Sequence, residues 1–226
     1  MRALITGSSK GLGEQLAIEL AHRGYSITLH GRDDKALALV KQKIVSLYKV
    51  HCDVIVGDLV DKCTIDSIKH AFNCNTYDIF VNNAGLYQNC NLNDLPDKKI
   101  EKIIKVNMLH PILLTKHVYH LFALRNKGTI ININSVAGKS GNPKEAVYCA
   151  SKFGMRGFST SLQQAHNGNV KIIDIFPAGM KTNMTNARSD WNLFMDPVEV
   201  ADVICKSSLD YTTLRTSQLE IRRSTY

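Results

Sequence analysis

The sequence has no long apolar run, so we predict no membrane-spanning helix. Its six cysteines show neither a Cys-x-x-Cys pair nor a zinc-like spacing, and we expect small apolar fillers rather than disulfide partners. Arginines form no run and the lysines are scattered, so the net charge of +8 does not indicate a nucleic-acid-binding surface. The first residues lack the apolar stretch of a signal peptide, and we expect a cytoplasmic protein.

The chain has 226 residues, 44% of them hydrophobic and 21% charged, which is enough for one large domain with a sizeable core. Apolar runs typical of strands alternate with helical patterns, and we find no linker or repeat. We therefore predict one α/β domain over residues 1–226, with a doubly wound parallel sheet and helices on both faces. The predicted strands cover residues 2–6, 25–30, 50–56, 78–81, 129–134, 170–176 and 219–222, and the predicted helices include 34–47, 61–73, 97–124 and 144–166.

A glycine-rich stretch follows the first predicted strand, with glycines at positions 7, 11 and 13. Glycines permit a tight turn and a close approach of the backbone, and the next helix points its free N–H groups at the turn. Such a turn binds the pyrophosphate of a dinucleotide. The spacing alone is weak support, but its place directly after a first strand favours this interpretation.

The end of the second predicted strand indicates which dinucleotide is bound. At this place an acidic residue binds the ribose 2′-hydroxyl of NAD, whereas an arginine binds the 2′-phosphate of NADP. Arg32 favours the phosphate, and Lys10 could reach the same group from the glycine turn. Asp33 either caps the following helix or points inward to bind the hydroxyl. We expect NADP(H), with NAD(H) as the alternative.

Tyr148 and Lys152 are four residues apart in the helix predicted over residues 144–166, so their side chains stack on one face. A nearby ammonium lowers a tyrosine pKa, which otherwise lies near ~10. Ser135 ends the fifth predicted strand, and a loop would bring its hydroxyl beside the phenol. Together they would supply a proton donor, a charge that tunes it and a hydroxyl that holds a substrate oxygen. This tyrosine–lysine spacing also occurs by chance on amphipathic helices.

The middle of the chain carries two further patterns. Residues 82–85, Asn-Asn-Ala-Gly, suit either a cofactor that crosses the end of the fourth strand or an ordinary turn. Pro111 predicts a kink near Asn107, where the Asn107 side chain or a water would satisfy the freed backbone groups. His117 and His120 have no third ligand in view, so we expect a subunit interface or a solvated face there and no metal site.

Together these motifs resemble the short-chain dehydrogenase/reductase family along nearly the whole chain. Residues 6–13, Thr-Gly-Ser-Ser-Lys-Gly-Leu-Gly, match the family's glycine motif, and residues 82–85 match a second motif. The stretch 177–182 resembles the family's nicotinamide-side loop, although Ala178 interrupts its usual Pro-Gly. The four residues that match the family's catalytic set are Asn107, Ser135, Tyr148 and Lys152.

The resemblance implies a Rossmann-type fold and an oxidoreductase. Tyr148 would exchange a proton with the substrate oxygen, and Ser135 would hydrogen-bond that oxygen. Lys152 would lower the Tyr148 pKa and hold the nicotinamide ribose, and Asn107 would position a water in a proton relay. The cofactor contacts that we expect are Gly7, Ser9, Lys10, Gly11, Leu12, Gly13, Arg32, Asp58, Leu59, Asn83, Ala84, Gly85, Tyr148, Lys152, Pro177, Gly179 and Thr182.

Large apolar side chains are concentrated between residues 183 and 196. We predict a lid over a largely apolar carbonyl substrate, and the alternative is packing onto the domain or a second subunit. The resemblance implies a homodimer or homotetramer through the helices at 97–124 and 144–166. The predicted activity is NADPH-dependent reduction of a ketone or aldehyde. The alternative is a catalytically silent nucleotide-sensing protein, which would need the glycine turn but not the tyrosine.

Overall fold

One sheet of seven parallel strands organises the structure, a computed structural model that describes residues 1–165, 168–210 and 214–224. The order across the sheet is β3-β2-β1-β4-β5-β6-β7, which is the doubly wound arrangement predicted from the sequence. Residue 166, the predicted end of the helix at 144–166, lies outside these ranges. So do residues 167, 211–213 and 225–226 of the predicted domain. The strands are β1 Arg2–Ile5, β2 Ser26–Gly31, β3 Cys52–Val56, β4 Ile79–Asn82, β5 Gly128–Ile133, β6 Val170–Pro177 and β7 Gln218–Ile221.

Helices cover both faces of the sheet. One apolar cluster covers one face of the sheet and includes Leu16, Leu37 and Ile204, each from a different helix. A second cluster covers the opposite face and includes Ile68 and Phe122. The helices are α1 Gly11–His22, α2 Asp34–Tyr48, α3 Lys62–Cys74, α4 Asp97–Ile104, α5 His110–Leu124, α6 Ala146–Ala165 and α7 Pro197–Leu209.

The interior strands read as mainly apolar runs because both of their faces are buried. Within β1, Ala3 and Ile5 belong to one core cluster while Leu4 belongs to the other. Successive side chains of a strand point to opposite faces, so a strand covered on both sides is apolar at most positions. The interior strands are therefore recognisable without an alternating pattern.

The long helix predicted over residues 97–124 is interrupted where the proline indicated. α4 ends at Ile104, a wider helical turn covers Lys105–Leu109, and α5 begins with Pro111 in its first turn. Proline has no N–H to donate, and wide turns relieve the resulting break. The Asn107 side chain does not serve its own helix as expected: it donates to the backbone oxygen of Leu86 (2.9 Å) and accepts from the Leu86 N–H (2.7 Å).

The connections place a crevice at the carboxyl ends of β1 and β4. After β3 the chain returns to the middle of the sheet and continues outward on the other side, so β1 pairs with both β2 and β4. Ligands of open α/β sheets bind where the strand order reverses in this way. Among the helices of the described ranges, none combines the length and apolar character needed to cross a membrane.

Candidate active site

A cavity of about 530 Å³ opens at this crevice. It is lined by the glycine turn at one end and by the start of α6 at the other. All seventeen expected cofactor contacts line it, as does Ser135. Of the expected site residues, Asn107 alone lines a separate, smaller cavity instead. The structure thus brings together side chains that are up to about three quarters of the chain apart.

Two glycines of the turn adopt conformations that other residues avoid. Gly7 has φ +66° and Gly11 has φ +62°, both in the left-handed region. A side chain on Gly13 would lie 2.3 Å from the backbone oxygen of Gly7 and 2.3 Å from Nδ2 of Asn83. These residues therefore form a cradle in which the backbone itself is exposed to the cavity.

The turn is fastened to the end of β4 by Thr6 and Asn83. Asn83 Nδ2 donates to the backbone oxygens of Thr6 and Gly7, both at 2.9 Å. Thr6 Oγ1 accepts from the N–H groups of Asn83 (3.0 Å) and Ala84 (3.1 Å). Asn83 thus holds the turn in place through its side chain, and Thr6, which the sequence analysis did not single out, completes this connection.

The cradle fits a dinucleotide pyrophosphate. Lys10 precedes α1 with no side-chain cap on the helix, so the first N–H groups of α1 keep their capacity to bind an anion. The missing Cβ atoms of Gly7 and Gly13 let the turn pack closely against Ala84 and Asn83, and all three glycines of the turn line the cavity. The fit to a pyrophosphate therefore depends on the backbone conformation of the turn as well as on its glycines.

The end of β2 resolves the two roles left open for Asp33. Its Oδ1 accepts from the N–H of Ala36 (3.1 Å), so the carboxylate caps α2. Arg32 is exposed, and its Nη1 lies 3.6 Å from Oδ2 of Asp58. Burial raises the pKa of Asp58, but the Lys102 ammonium at 3.0 Å and other donors outweigh it and hold this pKa below its usual range.

His30 is a buried titratable residue of the cavity wall that no sequence pattern identified. Its Nδ1 lies 3.4 Å from the N–H of Gly7, and its backbone N–H donates to Ser8 Oγ (2.9 Å). Burial lowers the pKa of His30 to about 4, so the imidazole is neutral at physiological pH. The ring supports the glycine turn without adding charge beside it.

The other end of the cavity holds Tyr148, Lys152 and Ser135. Tyr148 is 9% exposed, and burial raises its pKa far above the usual value, although a hydrogen bond with the Ser135 side chain opposes this. Lys152 Nζ donates to the backbone oxygen of Ile133 (2.9 Å) and lies 5.7 Å from the centre of the Tyr148 ring. Burial lowers the pKa of Lys152 to about 8, against the favourable charge of Asp174.

The lowering of the Tyr148 pKa that the resemblance implied is not what the structure shows. The Lys152 ammonium is directed at a backbone carbonyl, and the loss of water around the phenol dominates. The nearby Glu145 carboxylate raises the same pKa further. In the protein alone, the phenol is therefore protonated.

Asn107 lies behind Lys152 rather than in the main cavity. Its Nδ2 donates to Ser151 Oγ (3.1 Å) as well as to Leu86. With Lys152 and Asn134 it lines a polar cavity of about 10 Å³, close to the volume that one water molecule needs. The position agrees with a relay through water, a role that stays a prediction.

Three polar residues form the wall beyond Tyr148, and the sequence analysis missed all of them. The Tyr87 ring stands edge-on to the Tyr148 ring, with 5.2 Å between their centres. Tyr87 donates its hydroxyl proton to Glu145 Oε1 (2.6 Å), and Arg188 Nη1 lies 3.1 Å from the same hydroxyl. These residues are 58 and 101 positions apart in the chain, so no local signal reveals their contact.

The segment 183–196 packs onto the domain at its end and lines the cavity with part of its length, while closure over a substrate stays a prediction. Its end is fixed to the domain: Met195 donates its N–H to the backbone oxygen of Gly179 (3.0 Å) and is buried. Met184 lines the cavity and is 47% exposed, and Leu193 is 62% exposed. Because Arg188 also faces the cavity, the wall is mixed in polarity rather than largely apolar.

Comparison with known proteins identifies relatives of this chain. A family model described as short chain dehydrogenase matches residues 1–193. The 3-oxoacyl-(acyl-carrier-protein) reductase FabG of Staphylococcus epidermidis is 31% identical over 194 residues, which cover 83% of this chain and 78% of that protein.

Solved structures share the architecture. A short-chain dehydrogenase from Sphingobium yanoikuyae in complex with NADPH superposes with a TM-score of 0.88 at 24% identity, covering 97% of this chain and 87% of that one. The bulky-bulky ketone specific alcohol dehydrogenase from Comamonas testosteroni gives 0.82 at 26% identity, covering 90% and 81%. With the family model spanning most of its length, this chain belongs to the short-chain dehydrogenase/reductase family of oxidoreductases.

Proposed function

We propose that this chain is a cytoplasmic NADPH-dependent carbonyl reductase that interconverts a ketone or aldehyde and an alcohol. The observation that carries the proposal is the single cavity that joins the glycine cradle to Ser135, Tyr148 and Lys152. The names of two relatives, a 3-oxoacyl reductase and a ketone-specific alcohol dehydrogenase, support the reaction class.

In this proposal the four matched residues divide the chemistry. The bound nicotinamide cofactor supplies hydride. Tyr148, which is protonated in the protein alone, gives its proton to the carbonyl oxygen. Ser135 donates a hydrogen bond to the same oxygen, while Lys152 and the small cavity beside Asn107 provide the route by which Tyr148 regains a proton.

The proposed preference for NADPH rests on charge at the end of β2. The 2′-phosphate carries nearly two negative charges, and Arg32 and Lys10 both line that end of the cavity. Asp33 is engaged as a helix cap and is not directed at the ribose. Arg32 is 60% exposed and can leave its 3.6 Å contact with Asp58 at little cost, since exposed ion pairs contribute little.

Tyr148→Phe tests the proposal together with NADPH oxidation, followed at 340 nm over a panel of ketones and aldehydes. We expect turnover of the best substrate to fall at least a hundredfold, the usual scale of general acid–base catalysis, with NADPH affinity nearly unchanged. Tyr48→Phe, on the far end of α2, is the matched control and should keep full turnover.

Two results would contradict this assignment. Near-normal turnover in Tyr148→Phe would remove Tyr148 from its role as proton donor. Tight NADPH binding without turnover of any panel compound would favour the nucleotide-sensing alternative.

A further inference from the structure

Glu145 presents an unused acceptor to the substrate end of the cavity. The residue is 6% exposed and lines the cavity just before α6. Its Oε1 accepts from Tyr87 Oη (2.6 Å), from Asn142 Nδ2 (3.2 Å) and from Arg188 Nη1 (3.4 Å). No residue that the structure describes donates a hydrogen bond to the Glu145 Oε2 atom. One oxygen is thus held firmly while the other is available to a ligand.

The Glu145 carboxylate shares its guanidinium partner, Arg188, with Asp190. Arg188 donates to both oxygens of Asp190, each at 2.9 Å, in addition to its contact with Glu145. One guanidinium therefore faces two carboxylates, so Arg188 by itself does not neutralise both of them. Lys144 and Lys181 do not line the cavity, whereas Lys152 does, with its Nζ engaged by the backbone oxygen of Ile133 (2.9 Å) beside the Tyr148 ring.

The position of Glu145 relates this charge to the reacting carbonyl. Glu145 precedes Tyr148 by three residues, and the N–H of Cys149 donates to its backbone oxygen (2.7 Å), so it lies one helical turn away. The Tyr87 hydroxyl is occupied by Glu145, so its ring acts as an apolar wall. A substrate held at Tyr148 would meet this wall and the free Glu145 oxygen.

We propose that Glu145 is a specificity-determining residue that selects carbonyl compounds bearing a hydroxyl or amino group a few bonds from the reacting carbonyl, and that it rejects carboxylates. A donor on the substrate gains a charge-assisted hydrogen bond to Oε2, whereas an anion beside Oε2 meets a carboxylate whose guanidinium partner is shared with Asp190. The inference rests on the carbonyl reduction proposed above.

Three ketones of similar size separate these effects. 4-Hydroxybutan-2-one carries the donor, pentan-2-one replaces the hydroxyl by a methyl group, and acetoacetate carries a carboxylate. We expect kcat/KM of the wild type to be roughly tenfold higher for the hydroxyketone than for pentan-2-one, and roughly tenfold lower for acetoacetate. A wild type that reduces all three equally, or that prefers acetoacetate, would overturn the inference.

Glu145→Gln keeps the shape and an acceptor oxygen but removes the charge. The ratio of kcat/KM for acetoacetate to that for pentan-2-one should rise about tenfold, and the preference for the hydroxyketone should shrink. Ratios taken within one enzyme cancel any general loss of activity. Glu101→Gln, an exposed glutamate of α4, should leave both ratios as in the wild type. An unchanged ratio in Glu145→Gln would exclude Glu145 as the selector.

A binding measurement keeps the inference testable when turnover is absent. The single tryptophan, Trp191, lies in the segment beside the cavity, so its fluorescence reports binding of butane-1,3-diol and of pentan-2-ol. We expect the diol to bind several-fold more tightly, and this advantage to fall in Glu145→Gln. Equal affinities contradict the inference. Glu145-dependent diol binding without ketone turnover would instead contradict only the proposed reaction.

Discussion

Arg32 is the residue on which the proposed cofactor preference depends. A hydrogen bond to a charged group contributes roughly 1.5–3 kcal/mol, and Lys10 offers a second contact with the same phosphate. We therefore expect NADPH to bind about a hundredfold more tightly than NADH, with a tenfold or greater loss of this ratio in Arg32→Ala. The loss should come from weaker NADPH binding and be larger at low salt.

Titration of both cofactors into wild type, Arg32→Ala and Lys43→Ala measures this ratio. Lys43 is an exposed cation of α2 and serves as a control for the general loss of positive charge. Equal affinity of the wild type for NADPH and NADH would contradict the assignment of Arg32 as a ligand of the 2′-phosphate.

Asp174 is a buried carboxylate beneath the active site. It is fully buried on β6, opposite Asn132 of β5. Burial raises its pKa to about 6, although Ser159, Asn132 and Asn134 lie close enough to oppose this. None of them makes a well-formed hydrogen bond to the carboxylate oxygens. The charged form of Asp174 is therefore incompletely stabilised, and the Lys152 ammonium is one of the groups that favour it.

Stability should respond to pH through this carboxyl group. The native protein holds the Asp174 proton up to about pH 6, whereas the unfolded chain releases it near 3.8, so the native state binds more protons between these values. This contribution to stability is greatest below the lower value, falls as pH rises toward the higher one, and stays lost above it. One pKa unit corresponds to ~1.4 kcal/mol, so the total is at most about 3 kcal/mol.

Urea unfolding of wild type and Asp174→Asn between pH 4 and pH 7 checks the sign. The asparagine cannot titrate, so the free energy of unfolding of the variant should improve relative to the wild type as pH rises through this range. Asp202→Asn, whose side chain is 41% exposed on α7, is the control and should give a nearly constant difference. A constant difference for Asp174→Asn as well would mean that its carboxyl group titrates normally.

At the scale of elements, Arg188 connects the segment 183–196 to the body of the domain. It pairs with Asp190 inside the segment and reaches Tyr87 and Glu145 outside it. The strand-like pairing of Met195 and the hydrogen bond that Thr185 Oγ1 donates to the backbone oxygen of Met180 (2.5 Å) also hold the segment. We expect Arg188→Gln to loosen the segment while the sheet keeps its structure.

Limited proteolysis with chymotrypsin measures this loosening, because the enzyme cuts after Trp191 and Leu193 and does not depend on arginine. Cleavage should be several-fold faster in Arg188→Gln than in wild type, and slower in wild type when NADPH and a substrate are present. Arg215→Gln, at an exposed arginine, should behave like the wild type. Cleavage that neither the variant nor the ligands alter would count against a lid.

The elements predicted from the sequence are those that local physics determines. Strands buried on both faces read as mainly apolar runs, and Pro111 predicts the interruption of the long helix. At the start of α7, Asp196 accepts from the N–H of Val198 (2.8 Å) and caps the helix ahead of Pro197. Tyr148 and Lys152 are four residues apart, so any helix over this stretch places both side chains on one face.

The parts that the sequence did not reveal are contacts between distant segments. Thr6 and Asn83 are 77 residues apart, and Tyr87 meets Glu145 across 58 residues, so these pairs form only once the sheet has assembled. The direction of the Tyr148 pKa also depended on burial, which spacing cannot give. Asp174 is an exception, because a lone carboxylate inside the apolar run 170–176 is visible in the sequence and is an unusual occupant of a buried strand.

At the scale of the whole molecule, α5 and α6 form an outer surface that is apolar in part. Met108, in the wide turn that precedes α5, packs against Gly154 of α6. On their outer sides Leu113 is 39% exposed and Phe153 is 42% exposed. The resemblance to the family implies pairing through the same helices, and exposed apolar side chains suit such an interface.

We therefore predict a homodimer or homotetramer in which this surface is buried. Light scattering at micromolar concentration should give two or four times the chain mass of 25.2 kDa for the wild type. Leu113→Asp places a charge in the interface and should shift the mass toward the monomer, because burying an unpaired carboxylate is unfavourable. Leu39→Asp makes the same change at a leucine of α2 that is 68% exposed on the opposite side of the sheet, and should leave the assembly intact. A monomeric wild type, or dissociation by both variants alike, would exclude this surface as the specific interface.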